Sequence, residues 1–156
     1  MTNENIERII DALNINEIND RIFRASLSEV VDYARVWLDE PKGKTRIEGD
    51  YDFFFIKDKA TGFYVAAVLD MQNDLHLFVK KAFLGKDYLP KAMKEVIFPY
   101  LYQKGRKVQC VTFENIRVAN YCVRKLGFIL TGDLSAEKDL SAFAKLPEIK
   151  LTPLSL

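Results

Sequence analysis

The sequence predicts a mixed α/β or α+β fold. Three observations carry this: apolar residues at helical spacing near the start, three aromatic and β-branched segments in the middle, and helix and strand signals that alternate from residue 87 to residue 131. With 156 residues and 49% hydrophobic content the chain can bury one substantial core, so one domain over 1–156 is expected.

Ile6, Ile9, Ile10 and Leu13 recur at the spacing of a helix face, and Ile15, Ile18 and Ile22 continue the pattern. Ser26 with Glu29 three residues on fits a capping box. Val30, Val31, Ala34, Trp37 and Leu38 after it form one stripe, which predicts a helix that stops before Pro41. The pattern then changes. Tyr51 to Ile56, Phe63 to Leu69 and Leu75 to Lys80 are separated by polar turns and predict an antiparallel meander. Asp87 stands at an N-cap position with Pro90 in the first turn. Leu89, Ala92, Met93, Val96, Ile97, Tyr100 and Leu101 then give one apolar face, predicting a helix that ends at Gly105. Val108 to Phe113 reads as a strand. Asn115 opens a helix with Ala119, Cys122, Val123 and Leu126 on its buried side, Gly127 closes it, and Phe128 to Thr131 starts another strand. Ser135 to Leu146 reads as a short helix, and Glu148 to Leu154 as an edge strand interrupted by Pro153.

Composition narrows the function classes. The 23 Lys and Arg against 22 Asp and Glu leave a net charge of +1, so no global field attracts nucleic acid or an anionic membrane, and neither is expected as a partner. The apolar runs are too short to span a bilayer. The polar, acidic first residues and two cysteines give neither a secretory signal nor a disulfide framework, so a cytoplasmic location is expected. Cys110 on an apolar strand and Cys122 on a helix face are both read as core. No His/Cys cluster has metal-ligand spacing, and no metal is expected.

Two strings carry a family resemblance. Leu77-Phe-Val-Lys-Lys-Ala-Phe-Leu-Gly-Lys-Asp-Tyr-Leu89 resembles the strand, pyrophosphate loop and helix start of the GNAT acyl-CoA-dependent N-acetyltransferases. Glu114-Asn-Ile-Arg-Val-Ala-Asn-Tyr-Cys-Val-Arg-Lys-Leu-Gly-Phe128 resembles that family's strand-to-helix segment ending in Lys-Leu-Gly-Phe. The resemblance covers roughly residues 51 to 131 and implies a central, mostly antiparallel twisted sheet with splayed central strands, flanked by helices. It further implies acetyl-CoA as cosubstrate and a small-molecule or protein amine as acceptor. A non-catalytic protein of the same fold, serving as a binding or interaction module, is the alternative. A homodimer is compatible with the aromatics of the strand-rich middle.

Carried over residue by residue, the resemblance places the cosubstrate along Phe78, Val79, Leu84, Gly85, Lys86, Asp87, Tyr88 and Leu89, with Asn115 nearby. In the family, backbone N–H groups at a helix start hold the pyrophosphate, and glycines let phosphate oxygens approach. This chain departs from the loop pattern at Leu84, Asp87 and Leu89 and keeps Gly85. A carboxylate capping the helix from Asp87 competes for the same N–H groups. Lys80, Lys81, Lys86, Lys91 and Lys94 supply basic charge in compensation, or form a solvated face. Val123 occupies the position where the family commonly has a tyrosine acid. Tyr121, two residues earlier and about 200° around a helix from Val123, is the candidate in its place. His76, the only histidine, and Glu114 are candidate bases, and Asp74 shares the face of His76. Asn115 reads equally as an N-cap.

Overall fold

The computed structural model describes residues 1–18, 21–37 and 50–154. Its frame is a mixed α/β arrangement: a six-stranded antiparallel sheet, a separate three-stranded antiparallel sheet, and helices packed on them.

Helix α1 (Asn3–Asn14) is capped by the Thr2 hydroxyl, which accepts from the Asn5 N–H at 3.1 Å, and it buries Ile6, Ile9, Ile10 and Leu13 as predicted. It ends there. Ile15 is exposed and Ile22 opens strand β1 (Ile22–Ser26), so the continued helix over Ile15, Ile18 and Ile22 is corrected.

The helix expected after Ser26 is also corrected: the chain forms a turn and then strand β2 (Val31–Trp37). No capping box forms. The Ser26 hydroxyl donates to the Ser28 carbonyl, the Ser28 hydroxyl accepts from the N–H groups of Val30 and Val31, and Glu29 pairs with Lys59. The physical reason is that Val31 and Tyr33 share one face while Asp32, Ala34 and Val36 share the other, so the same residues satisfy a period of two. Seven paired positions with strand β3 (Asp50–Lys57) then decide the outcome. Leu38 and Pro41, the rest of that expected helix, lie outside the described residues.

Strands β3, β4 (Tyr64–Asp70) and β5 (Leu75–Val79) form the predicted meander. The sheet order is β5-β4-β3-β2-β1-β9, with β9 (Thr152–Pro153) a two-residue strand on the edge of β1, where Pro153 needs no ladder N–H. One face of this sheet buries Phe53, Phe55 and Leu69 against α1, and the other buries Phe54, Ile56 and Val68 beneath the later helices.

The helix predicted to end at Gly105 runs as α2 (Tyr88–Ala92), a π turn (Met93–Ile97) and α3 (Phe98–Gln103). Pro99 offers no N–H and its ring crowds the carbonyl four residues back, so the ladder widens ahead of it. The Phe98 N–H donates to the Met93 carbonyl five residues back. Strand β6 (Val108–Thr112) leads to α4 (Ile116–Leu126), which Gly127 ends at φ 77°. Strand β7 (Ile129–Gly132) follows. Ser135 to Leu146 is not the expected helix but β8 (Ser135–Asp139), lying between β6 and β7, then a three-residue-per-turn helix (Ser141–Lys145). Alternation along β6 buries Gln109 and Val111, so Cys110 is exposed rather than core, whereas Cys122 is buried. Among the described residues no helix is long and apolar enough to cross a membrane.

Candidate functional site

Strand β5 is an edge of the large sheet and β6 an edge of the small one, and no ladder joins them. Their near ends are clipped by side chains instead. Asp74 Oδ1 accepts from the Thr112 N–H at 2.8 Å, Oδ2 accepts from the Thr112 hydroxyl, and Gln109 Nε2 donates to the Gln72 carbonyl at 3.1 Å. Arg106 braces this end, donating to Gln109 Oε1 and, in bidentate form, to Asp70 at 2.9 and 3.0 Å. Asp74 is therefore committed to the clip.

Past the clip, two cavities share Leu77 and Val118 as a common wall: one of about 270 Å³ between β5 with residues 83–90 and α4, and one of about 260 Å³ between β5 and β6 with α4. The Lys80 N–H donates to the Val65 carbonyl at 2.9 Å, so by antiparallel alternation the N–H groups of Leu77 and Val79 point away from β4 and toward this gap. An unpaired strand edge thus presents donors to an apolar space.

The first cavity is the predominantly apolar one. Of the residues expected to hold a cosubstrate, Phe78, Val79, Leu84 and Gly85 line it, followed by Asp87, Tyr88 and Leu89. Gly85 has φ 74°, a left-handed conformation that favours glycine, and a Cβ there would meet open space. Asp87 differs from expectation. It too is left-handed, at φ 61°, whereas a capping residue needs extended backbone. Its carboxylate makes no cap bond and lies 3.7 Å from Lys125 Nζ with both side chains exposed. The helix N–H groups are consequently not consumed by Asp87. Tyr88 donates to Asp58 Oδ1 at 3.1 Å and meets Phe83 edge-on, which fixes the loop's outer wall.

Other expected positions fall beside the cavity. Lys86 stands with Nζ 5.6 Å over the Phe83 ring. Lys80 turns to α1, where Nζ pairs with Asp11 at 2.6 Å, which takes it out of the basic cluster. Asn115 acts as the N-cap of α4, accepting from the Val118 N–H at 3.1 Å, and does not line either cavity. Tyr121 lines the apolar cavity and Val123 does not. Burial, with Cys122 and Asp87 nearby, pushes the Tyr121 hydroxyl up to about 12, so it carries its proton at neutral pH.

The second cavity is lined by His76, Glu114 and Asp74, with no Lys or Arg in its wall. Burial lowers the His76 pKa below its usual range, Glu114 and Asp74 oppose this, and the amino-terminal ammonium adds to the lowering. The imidazole is neutral at pH 7. Sequence reading missed Arg117 and Val118 in the cavity walls and Lys125 beside Asp87. The signal was present in the spacing, because residues 117, 121 and 125 repeat every four positions on one face of α4. Among the described residues, no group of three or more His, Cys, Asp or Glu is placed to hold a metal ion.

No family model, no curated protein and no solved structure matches the chain.

Proposed function

We propose that this chain is an acyl-CoA-dependent N-acetyltransferase of the GNAT type, moving an acetyl group from acetyl-CoA to a small-molecule or protein amine. The observation that carries this reading is the pair of adjoining cavities along the unpaired edge of β5, apolar between the Gly85 loop and α4 and acidic between β5 and β6, with the N–H groups of Leu77 and Val79 facing that edge. An apolar slot of this kind suits a pantetheine arm. Gly85, Lys86, Arg117 and Lys125 surround the loop end, where the phosphates would lie. A strand N–H aimed into an apolar gap suits a thioester carbonyl on which negative charge develops.

The acidic cavity is where the acceptor would enter. Glu114 and Asp74 favour a positively charged amine there, and neutral His76 takes one of its protons. The amine nitrogen then bonds to the acyl carbon as the carbon–sulfur bond breaks. Tyr121 gives its proton to the departing thiolate and regains one from the acylated nitrogen, and His76 releases its proton to water. The electron pair of the broken bond stays on sulfur.

The test is release of free CoA thiol from acetyl-CoA in the presence of a panel of amines, ranging from diamines to neutral and anionic amines. Cationic amines are expected to turn over and anionic ones not. Tyr121→Phe is expected to lower kcat about 100-fold with the KM for acetyl-CoA little changed, the magnitude of a lost general acid. An unchanged kcat removes Tyr121 from the mechanism.

Asp87 favours a second reading, a non-catalytic protein of the same fold, because its carboxylate adds like charge where a diphosphate would sit. At about 1 kcal/mol for an exposed charge pair roughly 4 Å apart, this weakens binding only about 5-fold. Asp87→Gly is accordingly expected to tighten CoA binding about 5-fold in calorimetry while leaving stability within about 1 kcal/mol, since glycine relaxes the left-handed backbone.

A further inference from the structure

The bond between the first residue of α1 and the only histidine of the chain bears directly on the proposed chemistry. Asn3 Oδ1 contacts His76 Nε2 across 73 positions of sequence. A carboxamide oxygen only accepts, so a hydrogen bond at this contact requires the ring proton on Nε2 and leaves Nδ1 as the basic nitrogen. Nδ1 has no hydrogen-bond partner among the described residues, and His76 lines the acidic cavity.

The contact is held at both ends of its elements. Asn3 meets His76 and Asp11 meets Lys80 at 2.6 Å, so α1 lies along β5 in the same direction. Eight residues of helix rise about 12 Å and four residues of strand about 13 Å, so the two bonds fit one rigid placement of α1 without distortion. Ile6 and Ile10, fully buried between these points, lock the helix down. A helix that otherwise only covers the sheet thereby reaches the candidate site.

We infer that Asn3 is a positioning residue that fixes His76 as the Nε2–H tautomer and presents Nδ1 to the cavity as the acceptor of the amine proton. The inference rests on the acetyltransferase reading for the proton's source, but the tautomer is a property of the protein alone. The charged groups around the ring are Glu114 beyond β6, Asp74 ahead of β5 and the amino-terminal ammonium, and Asn3 is the neutral partner from α1.

With one histidine, 15N labelling of imidazole gives two ring-nitrogen signals, told apart by their couplings to the carbon-bound ring protons, since Nε2 couples to both Hδ2 and Hε1 and Nδ1 strongly to Hε1 alone. At pH 7.5 the Nε2 signal is expected at the protonated position and Nδ1 at the unprotonated one, with a titration midpoint below 6.5. Asn3→Ala is expected to mix the tautomers and lower kcat about 10-fold at pH 7.5 with the KM for acetyl-CoA unchanged. Asn3→Asp keeps the tautomer and raises the midpoint, because a carboxylate accepts the same bond and adds charge. An Nδ1–H tautomer in the unaltered protein, or a tautomer ratio that Asn3→Ala leaves unmoved, overturns the assignment. Expected spectra without any acetyl transfer overturn the proton-acceptor role and the acetyltransferase reading while leaving the tautomer standing; transfer with kcat unmoved in Asn3→Ala overturns the positioning role alone.

Discussion

Val118→Trp is expected to abolish acetyl-CoA binding, weakening it more than 100-fold, while the protein remains folded. Val118 projects from the first turn of α4 and, with Leu77, forms the wall common to both cavities, and it is itself partly exposed at 39%. An indole there fills much of a space of about 270 Å³ and overlaps the path between the loop at Gly85 and the imidazole of His76. Because the side chain grows into open space rather than into packed core, overpacking strain stays small. Equilibrium unfolding in urea checks the fold and calorimetry checks the binding. Loss of binding with an unchanged midpoint is the expected pair of results. Undiminished binding would place the ligand elsewhere.

The largest stability effect is expected at a site remote from the cleft. Asp32, fully buried on β2, accepts a short bond from the Tyr64 hydroxyl on β4 and pairs with Lys57 Nζ on β3 at 3.2 Å, while Arg24 on β1 donates to the Tyr64 oxygen at 3.1 Å. Four adjacent strands are tied by this network, β1 through the Tyr64 hydroxyl and the other three through the carboxylate. Burial and the Asp32 charge raise the Tyr64 pKa, which keeps the phenol a donor throughout the physiological range. Removing the carboxylate leaves the Tyr64 hydroxyl without its acceptor and the Lys57 ammonium without its counter-ion, so Asp32→Ala is expected to cost about 3 kcal/mol, or about 6–12 °C in Tm. Asp32 Oδ1 is sealed without a partner, so the network is not optimal as built. Replacing Asp32, Lys57 and Tyr64 together by Leu, Met and Phe is therefore expected to recover most of the loss. A single alanine variant that melts within about 2 °C of the parent would deny the network any role.

This tetrad also explains where sequence reading failed. Asp32 places a charge at a fully buried position of β2, which breaks the apolar alternation that identifies a half-buried strand. Without that alternation, Val30, Val31, Ala34 and Trp37 fit a helix equally well, and only long-range pairing with β3 separates the two. The same holds for β8. Its residues Ser135–Asp139 are polar apart from Ala136, and their strand conformation comes from lying between β6 and β7. By contrast, β3, β4 and β5 each carry their own aromatic or β-branched signal, and α4 carries both of its caps, so these were legible locally.

The candidate site divides in the same way. Phe78, Val79, Gly85 and Tyr121 could be named because two contiguous strings contain them, and the structure gathers them around one cavity. Arg117 and Lys125 are readable from the four-residue spacing that places them on one face of α4 with Tyr121. Asn3 was not readable at all, since no local pattern connects residue 3 to residue 76; the contact exists because α1 lies along β5. The conformation of Asp87 was likewise hidden, because aspartate serves both as an extended cap and as a left-handed residue, and the choice depends on how the loop leaves β5.

Calorimetric titration of acetyl-CoA into the protein tests the account at its centre, which is that the cleft along the unpaired edge of β5, beside the Gly85 loop and α4, holds an acyl-CoA. Saturable one-to-one binding with Kd on the order of 10–100 μM, about 5.5–7 kcal/mol, is expected, tighter in Asp87→Gly and absent in Val118→Trp. No heat from millimolar acetyl-CoA in either the unaltered protein or Asp87→Gly, over a range of temperatures, would contradict it.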